Sequence, residues 1–228
     1  YRLQLELAQK WMSEGKLTVE TLGETGRRFR KAFRDTPPAA LSALTDWSGN
    51  GIRSVWFSCR YWRGNLFLRD GVLFFRDLFV FDDRYRERYL ETPCTAWSAI
   101  YDNLPVLDRR RCITPEKNCA WSFAGTVDSI SLAQDEAAGT LTVTVSAADG
   151  ATWTLTFSEE GFSAQNAPEL TLEFGSGNDP VAVSGNGLDF CHEGVPYAVR
   201  ITQGSLQTAL TPMILQPRDG SLAVRLKR

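Results

Sequence analysis

Residues 54–81 decide the fold, and they read SVWFSCRYWRGNLFLRDGVLFFRDLFVF. Aromatic and aliphatic residues fill two runs, 54–68 and 72–81, on either side of Asp70-Gly71. An Asp-Gly pair between two such runs is typical of the two-residue turn of a β-hairpin, because the turn needs a left-handed backbone. The pattern therefore predicts two long antiparallel strands.

The turn also predicts the register of this hairpin, since it places Arg69 opposite Val72. Both sides of the pair are then apolar, which in an antiparallel pair indicates burial on both faces, under helices on one and a second sheet on the other. The register predicts the pairs Trp62–Phe79 and Leu66–Phe75 on one side, and Tyr61–Val80 and Phe67–Phe74 on the other.

Later in the chain, apolar residues alternate with threonine and serine, as in a sheet with one face toward water. A three-residue loop ending at Gly150 pairs Val145 with Trp153 and Val143 with Leu155, which keeps apolar residues on one face. Further strands are predicted at residues 170–174, 197–201 and 222–226.

Together these patterns predict a mainly β fold. We expect residues 51–228 to form an antiparallel, multi-stranded β-sandwich of the supersandwich type, with a short α/β segment before it.

The segment before the sandwich, residues 1–50, has mixed patterns. Leucine and tryptophan recur every four residues before Gly15, which is placed as the C-terminal cap of a helix. Residues 16–22 alternate like a strand, and a second helix follows and ends before Pro37. A helix-strand-helix unit is typical of the end of a parallel α/β domain. No N-cap residue precedes the first helix, so we expect the protein to extend upstream of Tyr1.

Composition and charge argue against two classes of partner. The chain has 25 basic and 27 acidic residues, a formal net charge of −2. Nucleic acid is not expected as a partner, because its phosphates require a basic surplus, and the short run 109–111 of three arginines does not supply one. No apolar run reaches the ~18 residues of a membrane-spanning helix, so no membrane partner is expected either.

The cysteines give little sign of a metal site or a cofactor. They are odd in number and scattered, which favours reduced thiols and a cytoplasmic location over a disulfide between Cys112 and Cys119. A metal site joining Cys112, Cys119, Cys191 and His192 lacks a C-x-x-C pair, and neighbouring residues of a strand point to opposite faces. We expect neither a metal nor a cofactor. The five cysteines are Cys59, Cys94, Cys112, Cys119 and Cys191.

Two glutamates are candidates for acid–base chemistry. Glu20 and Glu24 flank the end of the predicted strand 16–22, and the carboxyl ends of such strands are where α/β barrels place catalytic groups. The alternative is that Glu24 caps the second helix.

Trp56, Arg60 and Trp62 are candidates for carbohydrate binding. On a single long strand they project from one face, and aromatic rings beside an arginine are typical of sugar-binding surfaces. The alternative is that they belong to a core or a domain interface, since the predicted register sets phenylalanines beside them.

Three stretches of the chain resemble a known arrangement: residues 16–47, KLTVETLGETGRRFRKAFRDTPPAALSALTDW, then 54–67, SVWFSCRYWRGNLF, and 75–83, FRDLFVFDD. They are similar to the junction in bacterial carbohydrate-active proteins where a glycosidase-like or deacetylase-like barrel ends and a C-terminal β-sandwich begins.

The resemblance implies a function for the sandwich. In such proteins it braces the catalytic domain or lines its cleft, and most catalytic residues lie in the barrel. The resemblance therefore implies a non-catalytic C-terminal domain whose partners are carbohydrate and an upstream catalytic domain. The alternatives are a free-standing carbohydrate-binding module and a small glycoside hydrolase or lyase that uses Glu24.

Overall fold

A computed structural model describes residues 1–46, 49–100, 102–108, 119–174 and 179–227. The chain divides into two compact units, Tyr1–Thr36 and Pro37–Arg228. The first unit contains two helices, and neither is long and apolar enough to cross a bilayer.

In the described part of the second unit, the elements are strands and one short 3-10 helix, Arg88–Leu90. The helices are α1 Arg2–Ser13 and α2 Leu22–Ala32. The strands are β1 Ala39–Ala43, β2 Arg53–Ser58, β3 Trp62–Arg69, β4 Val72–Val80, β5 Leu104–Asp108, β6 Ala120–Phe123, β7 Val127–Asp135, β8 Thr140–Ala147, β9 Thr152–Ser158, β10 Gly161–Gln165, β11 Leu170–Glu173, β12 Ala182–Ser184, β13 Gly187–His192, β14 Val195–Gln203, β15 Ser205–Gln207, β16 Met213–Gln216 and β17 Ser221–Arg225.

The first unit is helix-loop-helix, so the predicted strand at residues 16–22 is wrong. Thr21 is instead the N-cap of α2. Its side chain accepts a hydrogen bond from the backbone N–H of Glu24, and the Glu24 carboxylate accepts one from the backbone N–H of Thr21. This reciprocal capping box commits Thr21 to the helix start, which competes with an extended conformation. The helical prediction for α1 is confirmed, and Gly15 follows its end with a φ of 69°.

The sandwich begins earlier than its predicted start at residue 51. The strand β1 pairs with β2 along its whole length, from Ala39 opposite Ser58 to Ala43 opposite Ser54. The second unit accordingly starts at Pro37.

The described strands of this unit form two antiparallel sheets, which confirms the predicted β-sandwich. The first sheet has the order β1-β2-β3-β4-β6-β11-β16-β15, and β5 also pairs with β4. The second sheet has the order β12-β13-β14-β17-β10-β9-β8-β7.

The inner faces of the two sheets share one hydrophobic core. Aromatic rings meet across it: Phe57 stacks on Phe157 with ring centroids 5.7 Å apart, and Phe75 lies 4.6 Å from Phe162. Such pairs contribute about 0.5–1.5 kcal/mol each beyond the area they bury. In the second sheet the predicted pairs of Val145 with Trp153 and of Val143 with Leu155 are confirmed.

The stretch predicted as one strand, 54–68, is a hairpin of its own. It consists of β2 and β3, joined by a tight turn in which the backbone N–H of Cys59 donates to the carbonyl of Trp62. Aliphatic and aromatic side chains of both strands reach the core, so the composition of the stretch does not reveal the reversal between them.

The hairpin of β3 and β4 has the predicted Asp70-Gly71 turn, and the predicted register holds near it. Leu66 faces Phe75 and Phe67 faces Phe74. Beyond them a β-bulge shifts the register, because Asn65 faces Asp77 and Arg76 has no opposite residue.

The predicted pairs farther from the turn are therefore wrong. Trp62 faces Val80 rather than Phe79, and Tyr61 lies outside the strand.

Candidate functional site

Four side chains form a line across the outer face of the first sheet. Trp56 on β2 faces Asn65 on β3, Asn65 faces Asp77 on β4, and Asp77 faces Asp108 on β5. Facing residues of neighbouring antiparallel strands have their Cβ atoms ~4.5–5.5 Å apart, so the line is continuous. We call these four residues the central row. The residues next to them that point into the core are Val55, Phe57, Leu66, Leu78 and Leu107.

The polar members of the central row are buried although they lie on the outer face. Asn65 is 0%, Asp77 3% and Asp108 6% exposed, whereas Trp56 is partly exposed. Buried polar groups are costly unless they are hydrogen-bonded, so a buried row of an amide and two carboxyl groups is a feature that packing alone does not favour.

The β-bulge places a cation beside the row. Arg76 is the extra residue, and its Nε lies 2.7 Å from Oδ2 of Asp77. Its guanidinium carbon lies 4.8 Å from the ring centroid of Phe67 and 5.7 Å from that of Trp56. Bulges commonly redirect a side chain in this way next to functional sites.

A second arginine lies on the other side of the row. The guanidinium carbon of Arg63 is 5.5 Å from the ring centroid of Trp56 and 5.2 Å from that of Phe79. Each cation–π contact at a partly exposed position contributes about 0.5–1 kcal/mol. Both arginines therefore contact the Trp56 ring.

Burial raises the pKa of Asp77 above the ordinary aspartate value. The ion pair with Arg76 opposes this shift, and the charge of Asp108 on the facing strand adds to it. Asp77 therefore holds its proton to higher pH than an exposed aspartate.

Two buried polar atoms of this face lack hydrogen-bond partners. In the described part of the chain, Oδ1 of Asn65 and Nε of Arg63 are buried and form no hydrogen bond. The amide nitrogen of Asn65 does donate, to the carbonyl of Val55 at 3.4 Å. One acceptor and one donor on the same strand are thus unsatisfied, and native structures contain only a few such groups.

The structure separates the three residues predicted to bind carbohydrate, so their predicted common face is wrong. Trp62 is 0% exposed and belongs to the core, where its Nε1 donates to the carbonyl of Ser158 in the second sheet at 2.9 Å. Arg60 lies in the turn between β2 and β3 and pairs with Asp83 at 3.1 Å. Only Trp56 lies on the outer face, because the turn reverses the chain between the two tryptophans.

Neither candidate glutamate keeps the setting that suggested catalysis, since there is no strand at residues 16–22. Glu24 is the capping-box residue of α2, and its hydrogen bonds with the backbone and side chain of Thr21 lower its pKa. Glu20 accepts a hydrogen bond from the Thr25 hydroxyl at 2.9 Å and pairs with Arg28 at 2.8 Å. Both carboxylates have local structural partners, which supports the capping alternative for Glu24.

The described residues contain no group of three or more His, Cys, Asp or Glu side chains that could hold a metal ion. Cys112 and the arginine run 109–111 lie outside the described residues. A pocket of about 500 Å³ lies against the second sheet, and its charged side chains form ion pairs, such as Arg200 with Asp189 at 2.7 Å. A smaller pocket, of about 360 Å³, lies beside Arg60 and Tyr61.

Sequence reasoning missed most of the central row and both of its arginines. One signal was present: Arg76-Asp77 interrupts an otherwise apolar strand with two consecutive charges, which breaks the alternation and is compatible with a bulge. Asp108 gave no comparable signal, because its place beside Asp77 depends on a strand pairing distant in sequence.

No protein-family model, curated protein or solved structure matches the chain.

Proposed function

We propose that the sandwich is a non-catalytic domain of a carbohydrate-processing protein and that it binds sugar on the outer face of its first sheet. The proposal rests on the central row, in which Trp56 faces the amide of Asn65 and the carboxyl groups of Asp77 and Asp108 follow on the next two strands. Sites for small polar ligands commonly combine aromatic walls with a few fixed polar groups. A sugar, with apolar C–H faces and many hydroxyl groups, suits such a surface.

The partly exposed residues determine how a ligand approaches. Trp56, Arg63 and Arg76 are each partly exposed, whereas Asn65 and Asp77 beneath them are buried. Arginine side chains are long and flexible, so a ligand that shifts their guanidinium groups reaches the buried acceptors. We infer that the sandwich lines the substrate site of a catalytic domain of the same protein.

The hydrogen bonds of Glu24 argue against catalysis by this chain through that residue. The Glu24 carboxylate is bound in the capping box, and hydrolysis of a glycoside requires a second carboxyl group ~5–10 Å away across the substrate. Glu20 is occupied by Arg28 and Thr25.

The test of sugar binding compares two tryptophan substitutions. We expect the wild-type chain to bind at least one oligosaccharide on a glycan array. In calorimetry with that oligosaccharide, Trp56→Ala should lower the affinity by about tenfold or more, because the apolar wall of the site is lost. The melting temperature should fall by only a few degrees, since Trp56 is partly exposed.

The control is Trp11→Ala, which removes a tryptophan that is 42% exposed in the other compact unit. It should leave the affinity unchanged. If the chain binds no glycan, or if Trp56→Ala binds as tightly as the wild type, the proposed sugar site on the outer face is wrong.

A further inference from the structure

We infer that the ligand of the outer face is an uncharged sugar and that one or more of its hydroxyl groups bind between Asn65 and Arg63. This inference rests on the proposed function and specifies the chemistry of the ligand. It is drawn from the two unsatisfied atoms on β3, Oδ1 of Asn65 and Nε of Arg63.

The two atoms have opposite requirements. Oδ1 of Asn65 needs a hydrogen-bond donor, and Nε–H of Arg63 needs an acceptor. They belong to residues two apart on the same strand and the same face. A hydroxyl group donates one hydrogen bond and accepts others, so neighbouring hydroxyl groups of one sugar satisfy both atoms.

Charged sugars fit less well. A uronic-acid carboxylate placed at this position accepts but does not donate to Asn65, and it adds a negative charge beside Asp77 and Asp108. An ammonium group of an amino sugar placed at this position donates but does not accept from Nε of Arg63. It also adds a positive charge between Arg63 and Arg76, both of which contact the Trp56 ring.

The charged side chains that the structure describes on the outer face also favour an uncharged sugar. Two arginines and two aspartates lie within or beside the central row, and Arg76 already pairs with Asp77. The described groups therefore present no surplus of either sign that would select an ionic ligand. They present instead one unused acceptor, Oδ1 of Asn65, and one unused donor, Nε of Arg63, which suits hydroxyl groups.

The test uses the full chain and a panel of tetrasaccharides. The neutral members are those of glucose, mannose, galactose and xylose, and the charged members are tetragalacturonate and tetraglucosamine. We expect the tightest neutral ligand to bind about tenfold or more tightly than either charged one.

Two variants locate the contact. Asn65→Leu keeps the approximate size of the side chain and removes the acceptor, and Arg63→Met keeps the alkyl stem and removes the donor. Each should weaken binding of the neutral ligand by about tenfold or more. Asn65→Leu should change the melting temperature by no more than about 3 °C, because it deletes an unsatisfied group along with one weak hydrogen bond.

The outcomes separate the two proposals. Binding of no panel member by the wild type overturns the proposed function and this inference with it. Tighter binding of tetragalacturonate or tetraglucosamine, or unchanged neutral binding in a folded Arg63→Met variant, overturns the inference and leaves sugar binding in place. If Asn65→Leu does not fold, Asn65 has a structural role, and the decision rests on Arg63→Met and the panel preference.

Discussion

Replacing Trp62 by alanine is expected to lower the free energy of unfolding by about 3–5 kcal/mol, the usual cost of deleting a buried aromatic side chain. Trp62 is 0% exposed, and its ring lies 5.1 Å from that of Phe57 and 6.0 Å from that of Phe157, ring centroid to centroid. Its indole N–H also donates to Ser158 in the opposite sheet. The substitution therefore removes packing and a hydrogen bond that joins the two sheets.

Urea unfolding followed by fluorescence or circular dichroism measures this loss. The control is Trp97→Ala, because Trp97 is fully exposed and its removal should change the free energy of unfolding by less than about 0.5 kcal/mol. A loss of less than about 1 kcal/mol for Trp62→Ala would place Trp62 outside the core and contradict the assignment of inner and outer faces.

A second large decrease in the free energy of unfolding is expected from Gly161→Ala, at the start of β10. Gly161 has a φ of 147°, and a Cβ atom built there would lie 2.1 Å from the carbonyl oxygen of Val224 on β17. The neighbouring backbone has to move to admit a methyl group. We expect a loss of about 2–4 kcal/mol, the sum of a strained φ and overpacking against a paired strand.

Gly150→Ala separates these two causes. Gly150 also has a positive φ, 87°, but no atom lies within 4 Å of a Cβ built there. The Gly150→Ala variant should lose only the part of the free energy of unfolding that comes from the strained φ, about 1–2 kcal/mol. Thermal melts of the two variants compare their stabilities directly. Equal losses of stability would show that β17 leaves room for a methyl group at Gly161.

Part of the fold was predictable because its causes are local in sequence. The Asp70-Gly71 turn and the loop ending at Gly150 set the register of the residues beside them, as observed for Phe67 with Phe74 and Val145 with Trp153. Such turns constrain only neighbouring pairs, and a single bulge at Arg76 was enough to shift the pairs farther away.

Two errors have identifiable physical causes. The chain reverses between β2 and β3 at Cys59, Arg60 and Tyr61, none of which is a typical turn former, so nothing in the composition indicated a turn. Residues 16–22 do alternate, but Thr21 and Glu24 have the three-residue spacing of a capping box, which favours the start of a helix. In addition, no described strand pairs with this segment.

The candidate site was predictable only in part. Trp56 was identified from its residue type, and it alone of the predicted sugar-binding residues lies on the outer face. The row beside it depends on three strand pairings and a bulge, and the pairing of Asp77 with Asp108 joins distant parts of the chain. Pairings of that kind are set by the packing of the whole sheet and not by local pattern.

The most direct measurement of sugar binding on the outer face is an NMR titration of the indole N–H signals. The chain has seven tryptophans, and single Trp→Phe variants assign their signals. On addition of the tightest-binding neutral tetrasaccharide, we expect the Trp56 signal to shift most and the signals of the buried Trp62 and Trp121 to stay within experimental error. Shifts confined to other tryptophans, with Trp56 unmoved, would contradict sugar binding at the central row.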